Sequence, residues 1–434
     1  MRGVSRAMRV TVAAGLIAGS TLLPVAVAGA APAAAEPTAP VVAPSTPDTE
    51  ACPYRVSPAP PVDNSEVPPS GQQAPSPLPV PQPPVGGERL AACGVVTPSS
   101  TAPVPGGLTS AGWLVADATN GTVVAAKDPH GRYRPASTIK TLLALVALRD
   151  LDLDTVVTGT REDYGMEGDS AGIGPGGRYT VRQLLQGLLM VSGNDCANAL
   201  ARELGGYEAA VGKMNDLAHS LGAEDTRAAS PSGLDAPGMS TSPYDLALIF
   251  RAGLRNPTFR DLISHVDAPF PGYPPLPEVP GDKPHVGYQM QSQNRLLVDG
   301  FPGVIGGKTG YTDDARKTYV GAVDRDGRTL VVVQMYGLNE AGDLYWDQSK
   351  ALLDWGFATP RTASVGTLVD GPASESATTT SPRRSNSGPA LAQNVSDEGP
   401  SDSGVSYRLV VGGIGTVVVL GLVVAAVRIN RRTR

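Results

Sequence analysis

Twenty of the chain's 41 prolines fall between Pro32 and Pro105, and this confinement limits what the chain can fold into more than any other feature. Proline fixes φ and donates no backbone hydrogen bond, so such a stretch cannot build helices or sheet interiors. It also lacks the apolar surface that offsets the entropy of ordering, and reads as a low-complexity arm over 36–105. A second stretch rich in Ser, Thr, Pro and Ala, from Thr359 to Ser406, reads as a disordered linker for the same reason. Between them lies one body, Gly106 to Ala358, large enough for a substantial core and a two-part site. A net charge of −6 with scattered signs gives no basic footprint, so nucleic acid is excluded as a partner.

Both ends point to export. Residues 1–35 carry Arg2, Arg6 and Arg9, an apolar run from Val10 to Ala28, then small residues, which is the order of a signal peptide. Near the other end, Leu409 to Val427 holds 19 residues without a charge. As a helix it would be about 28 Å long, near the hydrocarbon thickness of a bilayer. A transmembrane helix is expected over 407–428, with a basic tail at 429–434 held on the cytoplasmic side and the body facing outward, toward a cell wall. An exported chain permits disulfides, and Cys52 and Cys93 bracket the proline-rich stretch; their pairing is expected to restrict the reach of a disordered loop. Cys196 reads as a small buried apolar residue.

Within the body, Ala111 to Ala116 and Thr122 to Ala126 flank Asn120-Gly121 and predict a hairpin. The run after Ser137 (Leu142, Leu143, Leu145, Val146, Leu148) predicts a helix apolar nearly all round and therefore buried. Helices are also expected over Val181 to Val191, from about Asn194, and over Tyr345 to Trp355. Val304 to Thr309, Thr318 to Val323 and Thr329 to Met335 predict strands. Strands at both ends with helices between them give an α/β (α+β) body whose terminal strands share one sheet.

Ser137-Thr138-Ile139-Lys140 places a serine and a lysine one helical turn apart. A serine needs a base beside it, and lysine serves only when its pKa is lowered by burial and a nearby cation. The chain has seven lysines, and Lys140 alone has a serine three residues before it. Lys308-Thr309-Gly310 follows a strand-like run, where a lysine and a hydroxyl can hold a carboxylate while the glycine admits close backbone approach. Ser192-Gly193-Asn194 lies in a turn between two helices. Ser292-Gln293-Asn294 has the same end letters but no apolar helix before it, and reads as a decoy. Gly168-Asp169-Ser170-Ala171-Gly172 fits the G-x-S-x-G elbow of α/β-hydrolases, yet its flanks are polar and glycine-rich, which predicts a loop near the site.

The order S-x-x-K, S-x-N, K-T-G resembles that of serine penicillin-binding proteins and β-lactamases. The wording of Arg134 to Lys140, Tyr179 to Asp195, Pro231 to Asp235 and Gly306 to Thr312 is similar to the low-molecular-mass D-alanyl-D-alanine carboxypeptidases. The resemblance implies a central antiparallel sheet flanked by helices, a mostly helical subdomain, and an active site between them. It implies Ser137 as nucleophile, Lys140 as base, and Ser192 and Asn194 as substrate-positioning and proton-relay groups. Lys308, Thr309 and Gly310 would form the carboxylate subsite, and the backbone N–H groups of Ser137 and Tyr311 the oxyanion hole. It implies no metal or organic cofactor. The substrate would be a peptidoglycan stem peptide ending in D-Ala-D-Ala, with β-lactams as acylating mimics. A β-lactamase or D,D-endopeptidase on the same fold, and a non-catalytic wall-anchored binding protein, remain open at this point.

Overall fold

The computed structural model describes residues 46–99, 101–338 and 344–372. Its strands in chain order are β1 (Val95–Val96), β2 (Ser110–Asp117), β3 (Thr122–Lys127), β4 (Val156–Thr158), β5 (Arg178–Thr180), β6 (Asp267–Phe270), β7 (Tyr288–Gln291), β8 (Val304–Thr312), β9 (Arg316–Arg325), β10 (Arg328–Gly337) and β11 (Gly366–Thr367). The helices are α1 (Lys140–Asp150), α2 (Arg161–Tyr164), α3 (Val181–Met190), α4 (Asn194–Glu203), α5 (Tyr207–Ser220), α6 (Pro243–Leu254), α7 (Pro257–Ile263), α8 (Arg295–Val298) and α9 (Leu344–Ala358).

The main sheet is antiparallel with order β1-β3-β2-β10-β9-β8, and β11 pairs beside β1 on the outer side of β3. Val332 of β10 lies opposite Val115 on one side and Gly321 on the other, so strands from the two ends of the body meet as expected. The β9–β10 turn is tight because Asp326 and Gly327 both take positive φ, 51° and 69°, which suits the right-handed twist of the strands.

Alternation along β2 separates two cores. Leu114 and Ala116 face α1, α3 and α6, while Trp113 and Val115 face Leu352 and Leu353 of α9. Helix α1 packs against α3 through α7 and is buried on nearly every side, as its composition requires. Capping fixes where the surrounding helices begin: Thr180 and Gln183 form a reciprocal box at α3, and Ser242 caps α6 with Pro243 in its first turn.

Two boundaries differ from the sequence reading. The arm expected to be a disordered linker is, over 46–99, laid along the body and closed by a Cys52–Cys93 disulfide. Its order comes from polar complementarity: prolines leave many backbone carbonyls without partners, and buried arginines of the body supply the donors. Arg132 donates to the carbonyls of Val56, Leu78 and Pro79 at 2.9, 2.6 and 2.7 Å. Tyr54 also packs against Tyr133 in a tilted arrangement, 5.1 Å between ring centroids. The second difference is at Ala358, where the body does not end. Val365 and Leu368 are buried, β11 joins the sheet, and Asp370 pairs with Arg251 at 3.0 Å. The expected leader (1–35), the rest of the linker and the expected helix over 407–428 lie outside the described residues. Among the described residues no helix is long and apolar enough to cross a membrane.

Candidate active site

Ser137 sits on a short 3-10 turn, Ala136–Ile139, that runs into α1 at Lys140, rather than on the α-helix expected from the motif. The tighter winding nearly eclipses side chains three apart. It sets Lys140 Nζ 2.7 Å from Ser137 Oγ. The same nitrogen reaches Asn194 Oδ1 at 2.6 Å, the Ser232 carbonyl at 2.7 Å and, more distantly, Ser192 Oγ at 3.5 Å. Burial first, and the charge of Lys308 second, hold the Lys140 pKa well below the ordinary lysine range. A neutral amine at this place can accept the serine proton.

The backbone around the serine is under tension. Ala136 has φ 47° and Ser192 φ 64°, both in the left-handed region where a β-carbon is unfavourable. The Pro135 carbonyl is held by Thr138 Oγ1 at 2.6 Å and by Thr318 Oγ1 of β9 at 2.9 Å. Gly310 explains the glycine of the third motif: a β-carbon there would lie 2.9 Å from the Ser137 amide nitrogen and against Thr318 Oγ1. Edge strand β8 therefore runs hard against the serine turn, and only glycine permits that approach.

Ser137, Ser192, Asn194, Thr309, Gly310 and Tyr311 line one cavity of about 370 Å³. Lys308 is buried beneath it, donates to the Thr309 carbonyl at 2.7 Å, and has its pKa brought down to about 7 by burial against the opposing pull of Asp169. The expected site residues thus converge from five places: the serine turn, the start of α1, the α3–α4 turn, the start of α4, and β8.

Sequence reasoning missed part of the wall. The Gly168–Gly172 segment is indeed a loop and lines the cavity through Gly168 and Asp169. Ser170, the rival nucleophile, donates its hydroxyl proton to Asp195 at 2.7 Å. Asp195 also accepts from the amides of Ala171, Gly172 and Ile173 at 3.0, 2.8 and 2.9 Å, which pins that loop beside the site. The 292–294 segment is no second S-x-N element, but it is not remote either. Gln293 accepts from Thr309 Oγ1 at 3.2 Å and donates to Asp169 Oδ2 at 3.3 Å across the cavity. The signal that could have placed it was weak: a polar residue just before an Asn-capped helix turn leading into the K-T-G strand.

The model of a family described as D-alanyl-D-alanine carboxypeptidase matches residues 98–338. The chain belongs to that family. The D-alanyl-D-alanine carboxypeptidase DacB2 of Mycobacterium tuberculosis is 48% identical over 276 residues, covering 63% of this chain and 90% of the relative. A solved structure described as a penicillin-binding protein homolog from the same organism superposes with a TM-score of 0.58 at 47% identity, over 63% of this chain and all of that one. A Streptomyces DD-transpeptidase structure superposes at 0.54 with 26% identity, over 59% of this chain and 100% of its own. The carboxypeptidases of this family act on peptides ending in D-Ala-D-Ala and bind β-lactams, on an α/β fold with an antiparallel sheet and helices of the kind described above. The family match begins at residue 98, so the arm up to Thr97 stands outside it.

Proposed function

We propose that this D-alanyl-D-alanine carboxypeptidase works through a Ser137 acyl-enzyme on peptidoglycan stem pentapeptides. The observation that carries the reading is the buried Lys140 amine 2.7 Å from Ser137 Oγ, with the cavity opening on the serine. Ser137 Oγ attacks the carbonyl between the last two D-alanines while its proton passes to Lys140. The negative charge that develops on the carbonyl oxygen is met by the N–H groups of Ser137 and Tyr311. The C–N bond breaks, and the leaving amine takes a proton relayed from Lys140 through Ser192, with Asn194 fixing the lysine. Lys308 and Thr309 hold the terminal carboxylate of the departing D-alanine. A water then attacks the ester and gives a proton to Lys140, which passes it to Ser137 Oγ as the ester C–O bond breaks and the shortened peptide leaves. A β-lactam enters the same cycle, but its leaving group stays tethered and hydrolysis is slow.

The test uses the full chain. Labelled penicillin is expected on the wild type and not on Ser137→Ala, and free D-alanine is expected from a stem pentapeptide. Label that persists after that substitution would sink the assignment. Cleavage of cross-linked dimers without release of D-alanine from pentapeptide would move the reading to an endopeptidase, and rapid penicillin turnover to a β-lactamase. The enzyme is also proposed to be exported and anchored by a helix over 407–428, a reading supported by the charge-free run Leu409 to Val427 and the arginines after it. Extraction with the membrane fraction, lost on deletion of 407–434, is the expected result; unchanged release in both forms refutes it.

A further inference from the structure

The two N–H groups assigned to the oxyanion hole come from different parts of the fold, Ser137 from the turn before α1 and Tyr311 from β8. Something must hold their spacing. Each is flanked by a buried charge: Arg134 stands three residues before Ser137, and Asp314 three residues after Tyr311, in the β8–β9 turn. These charges are opposite in sign, and the proline-rich arm holds both.

Arg134, 3% exposed, makes all its side-chain hydrogen bonds among the described residues to the arm. Its Nη1 donates to the Ala59 carbonyl and its Nη2 to Glu66 Oε2, each at 2.8 Å, and its Nε donates to the other oxygen of Glu66. The Asp314 carboxylate accepts, again only from the arm among the described residues, from the Val62 amide and from Ser65 Oγ at 3.4 Å. A segment of eight residues, Ala59 to Glu66, thus grips both sides of the proposed oxyanion hole. Between its grips lies Ala136 in the left-handed region, a conformation that persists only where its surroundings over-determine it. The disulfide between Cys52 and Cys93 closes the loop that carries the segment.

We propose that the arm is a positioning element of the active site, in which Glu66, acting through Arg134, and the Val62 amide, acting through Asp314, set the distance between the two oxyanion donors. The arm touches no reacting atom. This inference rests on the reading of Ser137 and Tyr311 as those donors. Its chemical consequence is selective. A slackened strap weakens binding of the tetrahedral transition state and leaves binding of the planar ground state alone.

The experiment compares full-length wild type, Glu66→Ala, Glu66→Asp and Val62→Pro, the last removing the N–H that Asp314 accepts. Labelled penicillin titrates the competent sites, so rates are expressed per active serine. In Glu66→Ala, kcat is expected to fall by about tenfold with KM for the peptide unchanged, a fraction of the loss seen when an oxyanion donor is deleted outright. Affinity for a boronic acid analogue of D-alanine, which becomes tetrahedral on the serine, should fall by the same factor, and Glu66→Asp should recover part of both. Should Glu66→Ala not fold, Val62→Pro carries the same expectations. Wild-type kcat and boronate affinity in the variants overturn the inference, as does a loss confined to the fraction of titratable sites. Absence of label on Ser137 in the wild type would instead overturn the function on which it rests.

Discussion

Replacing Gly310 with alanine tests the reading that β8 is pressed against the nucleophile. The added β-carbon would sit 2.9 Å from the Ser137 amide nitrogen and 3.1 Å from the Ala136 β-carbon. Ordinary contact between such atoms needs about 3.4 Å or more, so β8 and the serine turn must separate by about half an ångström. The shift falls directly on the gap between the N–H groups of Ser137 and Tyr311, the two proposed oxyanion donors. Misplacement of this order is expected to slow acylation by about 10- to 100-fold, or about 1.4–2.7 kcal/mol of barrier. The fold should tolerate it, because Gly310 is not at a positive φ and lies on an edge strand. The assay is the second-order rate of covalent attachment of a fluorescent penicillin, read by intact mass, beside a thermal melt. A variant that acylates within twofold of wild type with an unchanged melt would refute the close approach. A variant that simply unfolds would refute the assumption that the strand can yield.

Further expectations concern charge and extent. Lys308 loses its proton near pH 7, so kcat/KM for carboxylate-ended peptides should fall as pH rises through that value, relative to a C-terminal amide substrate, which shares only the effect through Lys140; equal profiles would contradict the subsite. The sign for stability is the opposite. The folded chain releases this proton near 7 and the unfolded chain keeps it to 10.5, so the unfolded state binds more protons between them and the Lys308 contribution to stability rises with pH in that window. Cutting the chain to 106–358 removes the carbonyls that satisfy Arg132 and Arg134 and the strand β11. The short form loses those hydrogen bonds and the strand pairing together, so it should melt lower than one spanning 46–372, and equal melting points would refute the role given to the arm.

The residues proposed as catalytic could be picked out because that chemistry demands particular letters at particular spacings, and because α1 carries a continuous apolar run that only a buried helix explains. The terminal strands were legible from their apolar and β-branched runs. Gln293 was not, since nothing local distinguishes a wall residue from a polar loop residue before the β8 side of the cleft is in place. The arm was misread for a different reason. Disorder was inferred from its lack of apolar surface, whereas its order comes from carbonyls that meet Arg132 and Arg134, partners between about 50 and 80 residues away in sequence. Composition reports what a segment can bury by itself, and is silent about donors that another segment has left unsatisfied.

The main sheet has two borders, and they are treated differently. Along the outer side of β3, short strands from the arm and from the C-terminal segment, β1 and β11, cover the backbone end to end. Along β8 no described strand does so. An uncovered strand border ordinarily invites pairing with another copy of the same chain. Here Thr309 to Thr312 of that border line the cavity beside the serine turn, a place that suits a single extended peptide better than a long strand of a second folded molecule. The same stretch of β8 that is proposed to receive a peptide therefore offers little straight border for pairing between two copies of the chain.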